Sequence, residues 1–497
     1  MWKQEMFIRS TPIKGTAPLT VLIAVFAALG WLFSGVVDNP DKPPQWILLL
    51  ILMLVVAGAA YLYCVNRLFR VTPSVTVLPA ILLTGAVLRL LVLFSAPILE
   101  DDYHRYLWDG AVTAHGLNPY AYAPQEILDG RAGETPIPEA FRKLAEASPG
   151  TLAQINHPHV RTIYPVLTEA AFALAYWIKP WSVTAWRLVL LLFDMATLLL
   201  LLHILKYLKR PLAWISIYWL NPLLIKEIFN SGHMDVLMFP FLLGAILFSL
   251  RRRLHVAVPL LAAATAVKVW PVLLLPIVLR PVFPDYRRMA VALGGFAGLC
   301  LMLFSPILLT GLTPSSGFIA YSARWQLNDS LFSLILWVSQ QFLSLIHIHP
   351  GHGQRLARLI VAGLWLAWVG YLTLQKPRSQ EDVFRQCLAI VAALFLLSPT
   401  QFPWYATWMV PFLVIVPRRS LLLLTLTMPL YYLWHYFSAT GQVEIFHRWI
   451  PWIEFVPVWI ALLREWWRNR SASSSIGFYA TQRKPLSLLR LTVKRET

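Results

Sequence analysis

An all-α, polytopic transmembrane bundle of about 12–14 spans is the fold this sequence predicts, by the rule of roughly 20 apolar residues per crossing. Three observations carry that expectation. Of 497 residues, 58% are hydrophobic and only 13% charged, against about 25% charged in soluble domains. Apolar stretches long enough to cross a bilayer recur from end to end, and no segment reads as a soluble domain of its own. Basic residues gather in short loops: Arg67 and Arg70, Lys206 to Arg210, Arg251 to Arg253, Arg280 to Arg288, Arg418 and Arg419, and Arg464 onward. That is the distribution of cytoplasmic loops.

Taken in order, the opening MWKQEMFIRSTPIKG leads into an apolar run over 17–37. This run is too long for a cleaved signal and lacks a small-residue cleavage site, so it reads as a retained first helix. Runs at 46–64 and 76–97 follow. A polar segment, 98–162, then interrupts the pattern, its acidic residues outnumbering its basic ones. With the basic N-terminus inside, three crossings place this segment outside, and its tyrosines, tryptophans and helical periodicity predict order rather than disorder. Parity between it and the Lys206–Arg210 cluster requires an odd number of crossings, so 163–180 reads as a short or interfacial helix before the span at 183–203. Further spans are expected at 211–230, 233–250 and 255–279, the last broken where Lys268 and Pro271 interrupt it. After 289–310, a second outer loop is expected over 311–355, with 330–346 along the membrane surface. The remaining runs lie at 356–374, 383–398, 404–417, 420–438 and 450–466. Residues 1–467 thus form one transmembrane domain, followed by a basic, flexible cytoplasmic tail over 468–497.

The net charge of +18 sits in loop clusters that set topology and attract anionic lipid, so membrane lipids are expected partners and nucleic acid is not. Cys64, Cys300 and Cys387 lie in apolar segments at no metal spacing and read as packing residues.

Chemistry-bearing residues concentrate in a few stretches. In EDDYHRYLWDG, beginning at Glu100, a helix would bring Asp102, Arg105, Tyr106 and Asp109 to one face and Tyr103, Leu107 and Trp108 to the other. That describes either an amphipathic helix at a membrane–water boundary, holding carboxylates where the third span ends, or a solvated acidic helix start. GLNPY supplies Asn118 and Tyr120 in a turn, and NHPHVRTIYP supplies His157 and Tyr164. His157 and His159 flank a proline, a poor metal spacing that suits a pocket rim better. NPLLIKEIFNSGHMD puts Glu227, Asn230, His233 and Asp235 at a helix end. Ionisable residues at membrane depth are functional candidates because charge there is costly. Lys268 stands beside a proline break, suited to snorkelling or to binding phosphate. Arg187 and Asp194 share a helical face by i, i+7 and read as a pair. Tyr321, Arg324, Trp325, Asn328 and Asp329 come from the second loop. Trp404 and Tyr405 begin a late helix, as interface anchors or as part of a pocket.

Read together and in this order, EDDYHRYLWDG, GLNPYAYAP, NHPHVRTIYP, NPLLIKEIFNSGHMD, AVKVWP, RWQLNDSLF and SPTQFPWYATW resemble bacterial membrane glycosyltransferases of the GT-C type. Within that type they are similar to the polyprenyl-phosphate-mannose-dependent mannosyltransferases and their bacterial relatives. The helices before residue 76 look like an extra pair ahead of that family's usual first span, and Val166 stands where a second proline is expected.

The resemblance implies an inverting transfer of a hexose, mannose first, from a polyprenyl-phosphate sugar to a lipid or glycan acceptor. The site would lie on the extracytoplasmic face of the bacterial inner membrane. By the D-x-x-x-Y-L spacing Asp102 matches the family's general base, with Asp101 its rival. Lys268, Arg324, His233 and Arg105 are then candidates to hold the departing lipid phosphate. Asp109, Tyr106, Asn118, Tyr120, His157, Tyr164, Glu227, Asp235, Trp404 and Tyr405 would line the substrate pocket. A lipid phosphate leaves without a second carboxylic acid and presents no pyrophosphate to clamp, so no cofactor and no divalent metal are expected. A transporter or lipid-linked sugar flippase is the rival class; it predicts repeat-related broken helices, which the sequence does not show. A lipid-linked polymerase or ligase is a further enzyme alternative.

Overall fold

The computed structural model describes residues 17–32, 43–69 and 77–480, and within them all side chains but those of residues 17, 31–32, 323–324 and 469–480. The chain is 77% helical. Among the described residues the strands, Arg131–Ala132 and Thr135–Pro136, form one short antiparallel ribbon. The all-α polytopic bundle is therefore the architecture of this protein.

Among the described residues, four helices are long and apolar enough to cross a membrane: Trp46–Leu68, Val183–Tyr207, Tyr286–Thr310 and Pro350–Leu374. A fifth crossing is added if Pro222–Asn230 and Met234–Leu250, bent by 103°, count as one broken span. Several of the other apolar runs fold as shorter pieces because prolines start new turns inside them. Run 211–230 divides into Leu212–Ile215, Ser216–Trp219, Pro222–Ile225 and a π-turn over Lys226–Asn230. Pro411 divides run 404–417, and Pro429 divides run 420–438. A hydropathy window sums composition, whereas a helix also needs an unbroken ladder of N–H donors, which proline interrupts.

Run 163–180 becomes the 13-residue helix Val166–Ile178, short as parity requires. Run 255–279 breaks where expected: helix Leu254–Val267 stops at Lys268, whose backbone is extended, and a tight turn over Trp270–Leu274 follows. Segment 330–346 is the helix Leu331–Leu345. Helix Val443–Ala480 reaches into the segment 468–497 that the sequence reading assigns to a tail. No proline stands between Pro457 and Ala480, and an established helix extends through serines at small cost. Residues 481–497 lie outside the described residues.

Segment 98–162 is ordered by a small core of its own. Helices Tyr103–Ala114, Pro124–Leu128, Glu139–Ala147 and Pro149–Ala153 pack Trp108, Ile127, Ile137, Phe141, Leu144 and Leu152 together. Trp108, expected at a membrane–water boundary, is thus a core residue, covered by the apolar face of Glu139–Ala147. Helix Tyr103–Ala114 lies so close to Val166–Ile178 that a Cβ on Gly110 would sit 2.5 Å from the Phe172 carbonyl oxygen. Only glycine permits that approach.

The membrane core holds one ion pair that the sequence misassigns. Asp194 pairs with Arg89 at 2.6 Å and accepts from Tyr218 at 2.6 Å. Arg187, its expected partner, instead donates to the carbonyls of Leu93, Ser95 and Asn230. Pairing by i, i+7 assumes that two groups on one face meet; here each meets a neighbouring helix first.

Helix Val183–Tyr207 orders the molecule along its length. Near its start, Trp186 donates to the Gly232 carbonyl at 2.6 Å. Near its end, the Arg251 guanidinium lies over the Tyr207 ring at 5.0 Å and bonds His203, while Arg210 bonds Glu381. The break at Gly232 and the basic residues Arg210 and Arg251 therefore sit at opposite ends of one helix roughly 37 Å long.

Candidate active site

The site begins where helix Val77–Leu93 ends. Asn230, on the π-turn, donates to Ser95 Oγ and the Ala96 carbonyl at 2.9 Å each and accepts from the Ile98 amide at 3.1 Å. This clasp, with the Arg187 cap, fixes the chain just before Glu100, Asp101 and Asp102. Leu99 turns the chain in the left-handed region, at φ 61°.

Asp101 and Asp102 share one donor group: Asn156 Nδ2 reaches Asp101 Oδ1 at 2.7 Å and Asp102 Oδ1 at 2.8 Å. The other Asp102 oxygen lies 3.4 Å from the Tyr106 hydroxyl and 4.0 Å from His233 Nδ1. Burial pushes the Asp102 carboxyl above the usual carboxylate range; the Asn156 bond opposes that rise and the Asp101 charge adds to it. Burial likewise raises Glu100 well above the usual range, against the Lys226 charge.

His233 sits in the break of the bent span. Gly232 precedes it at φ 84°, a conformation that favours glycine. The imidazole stacks on Trp404 at 4.0 Å, and Trp404 stacks on Phe402 at 4.4 Å. Asp235, two residues on, accepts from Lys268 Nζ at 2.5 Å and from Trp408 Nε1 at 2.6 Å. The Lys268 ammonium also faces the Tyr405 ring at 4.4 Å, a cation–π contact. Tyr405 and Tyr321 bond through their hydroxyls at 2.8 Å. Two helix breaks, one at Gly232 and one at Lys268, thus present their polar groups to the same aromatic wall.

Of the residues singled out by sequence, Asp101, Asp102, Tyr106, Tyr164, His233, Glu227, Asp235, Lys268, Trp404 and Tyr405 come together here. Tyr164 joins through its hydroxyl, 3.5 Å from that of Tyr106. Others play supporting parts. Arg105 is buried and donates to the Asn156 and His157 carbonyls, so it carries the segment that presents Asn156. Tyr120 bonds the Tyr164 carbonyl at 2.8 Å, and His157 packs its ring against Trp325 at 4.8 Å. Asn118 bonds Thr310 instead, away from the carboxylates. Asp109 is buried behind the site, its carboxyl raised to about 6 by burial against the pull of Arg105. Asn328 bonds the Gln401 carbonyl and Glu454, joining two segments. The Arg324 side chain lies outside the described residues.

Sequence reasoning passed over Asn156, Glu100, Trp408 and Tyr432 as site residues. Asn156 stood within a quoted motif, and its role needs the fold, since it meets Asp102 across 54 positions. Tyr432 donates to Glu227 Oε1 at 2.6 Å and bonds Lys226. No local signal marks it.

Fold and site together define a polytopic helical membrane protein that gathers carboxylates, an imidazole and an ammonium group where two helices break. Residues 19–283 match the family model for alpha-(1->6)-mannopyranosyltransferase, N-terminal domain, of the MptA/B family. The chain belongs to that family and is a mannosyltransferase. The match begins at residue 19, so the helices before residue 76 fall inside the family's domain and are not an addition to it. Comparisons with curated proteins and with solved structures find no match.

Proposed function

We propose that this protein transfers mannose from a polyprenyl-phosphate donor to a lipid or glycan acceptor, with inversion and with Asp102 as general base. Asp102 takes the proton of the acceptor hydroxyl, whose oxygen attacks the anomeric carbon as the lipid phosphate departs. The observation that carries the reading is the placement of Asp102: one oxygen is held by Asn156, the other lies free of any closer partner than Tyr106 at 3.4 Å. A base needs such an available oxygen. Lys268 supplies positive charge and hydrogen-bond donors for the phosphate, with Arg324 a further candidate for that role, while His233 stands beside the base with its Nδ1 edge toward Asp102. Arg105 acts behind them as a positioning residue. Tyr106, Tyr164, Trp404 and Tyr405 would line the substrate pocket with their edges and hydroxyls, the ring faces of Tyr106, Trp404 and Tyr405 being already stacked on other side chains.

We assign the site to the extracytoplasmic face of a bacterial plasma membrane. Positively charged loops favour the cytoplasm, and the basic clusters at Lys206–Arg210 and Arg251–Arg253 lie at the far end of helix Val183–Tyr207 from Gly232, which supports this orientation. The lipid chain of the donor would then enter from the bilayer.

Donor class is tested with purified protein in lipid, membrane acceptors and two labelled donors. Label is expected to move from polyprenyl-phosphate mannose and not from a nucleotide mannose. Transfer from the nucleotide sugar in a polyprenol-free system would overturn the reading.

A further inference from the structure

The Nε2 edge of His233 has no task in that reaction. It lies 3.6 Å from Glu227 Oε2 and 3.8 Å from Glu100 Oε2. The three side chains can each offer a ligand atom with all of these atoms within 4.8 Å of one another. Their side chains are 1%, 0% and 8% exposed. His233 Nε2, Glu227 Oε2 and Glu100 Oε1 are buried, and among the described residues none of them has a hydrogen-bond partner.

We propose that His233, Glu227 and Glu100 form a divalent-cation site. Separations of 3.6 and 3.8 Å are too long for hydrogen bonds. They approach the roughly 3.4 Å between two atoms that each lie about 2.1 Å from a tetrahedral ion. The remaining edges of the ligands are already held. Tyr432 occupies Glu227 Oε1 at 2.6 Å. His233 Nδ1 faces the Tyr106 hydroxyl at 3.5 Å and Asp102 Oδ2 at 4.0 Å. The Tyr106 hydroxyl, itself 3.4 Å from Asp102 Oδ2, is the group behind the far nitrogen that would set the tautomer of a metal-binding histidine. Lys226, 3.6 Å from Glu227, balances only one of the two carboxylates, so the group retains negative charge for a cation to meet. One nitrogen and two oxygens suit a cation such as Zn²⁺ or Mn²⁺, and three protein ligands leave a position open for an oxygen anion. Taking that oxygen from the donor phosphate rests on the reading above; the binding of the ion does not. In that arrangement His233 separates the cation on its Nε2 side from the base on its Nδ1 side. This departs from the expectation of a metal-free site.

The test uses the full-length protein in detergent, stripped with a chelator and titrated with Co²⁺ and then Zn²⁺, with no donor present. His349 and His352 are replaced by alanine throughout, since these exposed side chains, their rings 6.5 Å apart, could take up the same ions. One Co²⁺ per chain, with a visible absorption band that Zn²⁺ abolishes, is expected. Tyr106→Phe should weaken binding about tenfold, and Glu100→Gln and His233→Gln should remove the band. Glu227→Gln would strip the buried Lys226 of its carboxylate and destabilise the chain, so Glu100→Gln, with its melting profile checked, is the decisive variant. No bound Co²⁺, or the same binding in folded Glu100→Gln, overturns the proposal. Because no donor enters the titration, these outcomes are separate from any failure of the transferase reading.

Discussion

Asp101 and Asp102 share a single amide, yet their surroundings differ. Asp101 is exposed, while Asp102 turns its second oxygen inward toward Tyr106 and His233. A base that must work near neutral pH gains from a raised pKa, and burial raises that of Asp102. The base form then increases as pH rises through the folded-state value, which lies above 3.8. The Asn156 bond holds that value down, so removing it lets the value climb. Asn156→Ala should therefore move the acidic limb of the pH–rate profile to higher pH, with the largest loss of activity at the acidic end. An unchanged limb in the variant would remove Asn156 from the account.

At the scale of elements, the site is made by interrupted helices. The π-turn over Lys226–Asn230 brings Glu227 and Asn230 inward, and π-turns of this kind often mark functional sites. Gly232 then takes a left-handed conformation beneath Trp186, against which a Cβ would rest at 3.4 Å. Left-handed residues other than glycine cost about 1–2 kcal/mol, so Gly232→Ala should destabilise the protein by about that much. The check is a denaturation midpoint in detergent, together with a loss of transfer as His233 shifts. The sequence announced this break through the cluster of Asn, Ser, Gly and charged residues between two apolar runs, and announced the Lys268 break through Pro271. It did not announce the division of run 420–438, because Pro429 stands among leucines that satisfy any hydropathy window.

For the whole molecule, burial of Arg89 and Asp194 against one another ties helix Val77–Leu93 to Val183–Tyr207. Removing one partner from a buried pair leaves an uncompensated charge and costs about 3–5 kcal/mol. Arg89→Leu should lower the thermal midpoint accordingly, and Arg89→Leu with Asp194→Leu should recover part of the loss. A double variant no more stable than the single one would show that the pair does not act as a unit. The class of fold was legible because the bilayer demands long apolar segments, and composition records that demand directly. The candidate site was legible as separate motifs, from EDDYHRYLWDG to SPTQFPWYATW, since charge in an apolar chain stands out. What joins them was not legible. Asn156 meets Asp102, and Tyr432 meets Glu227, across separations of 54 and 205 residues, and periodicity reaches only a few turns.

The most direct test compares wild type with Asp102→Asn and Asp101→Asn in purified form, using labelled polyprenyl-phosphate mannose and a lipid extract from the native membrane. Removing a general base typically costs about 10²–10⁴-fold in rate. The account predicts that Asp102→Asn falls by that much while Asp101→Asn keeps most of its activity, both variants folding normally. Full activity in Asp102→Asn, with the loss falling on Asp101→Asn instead, would contradict it.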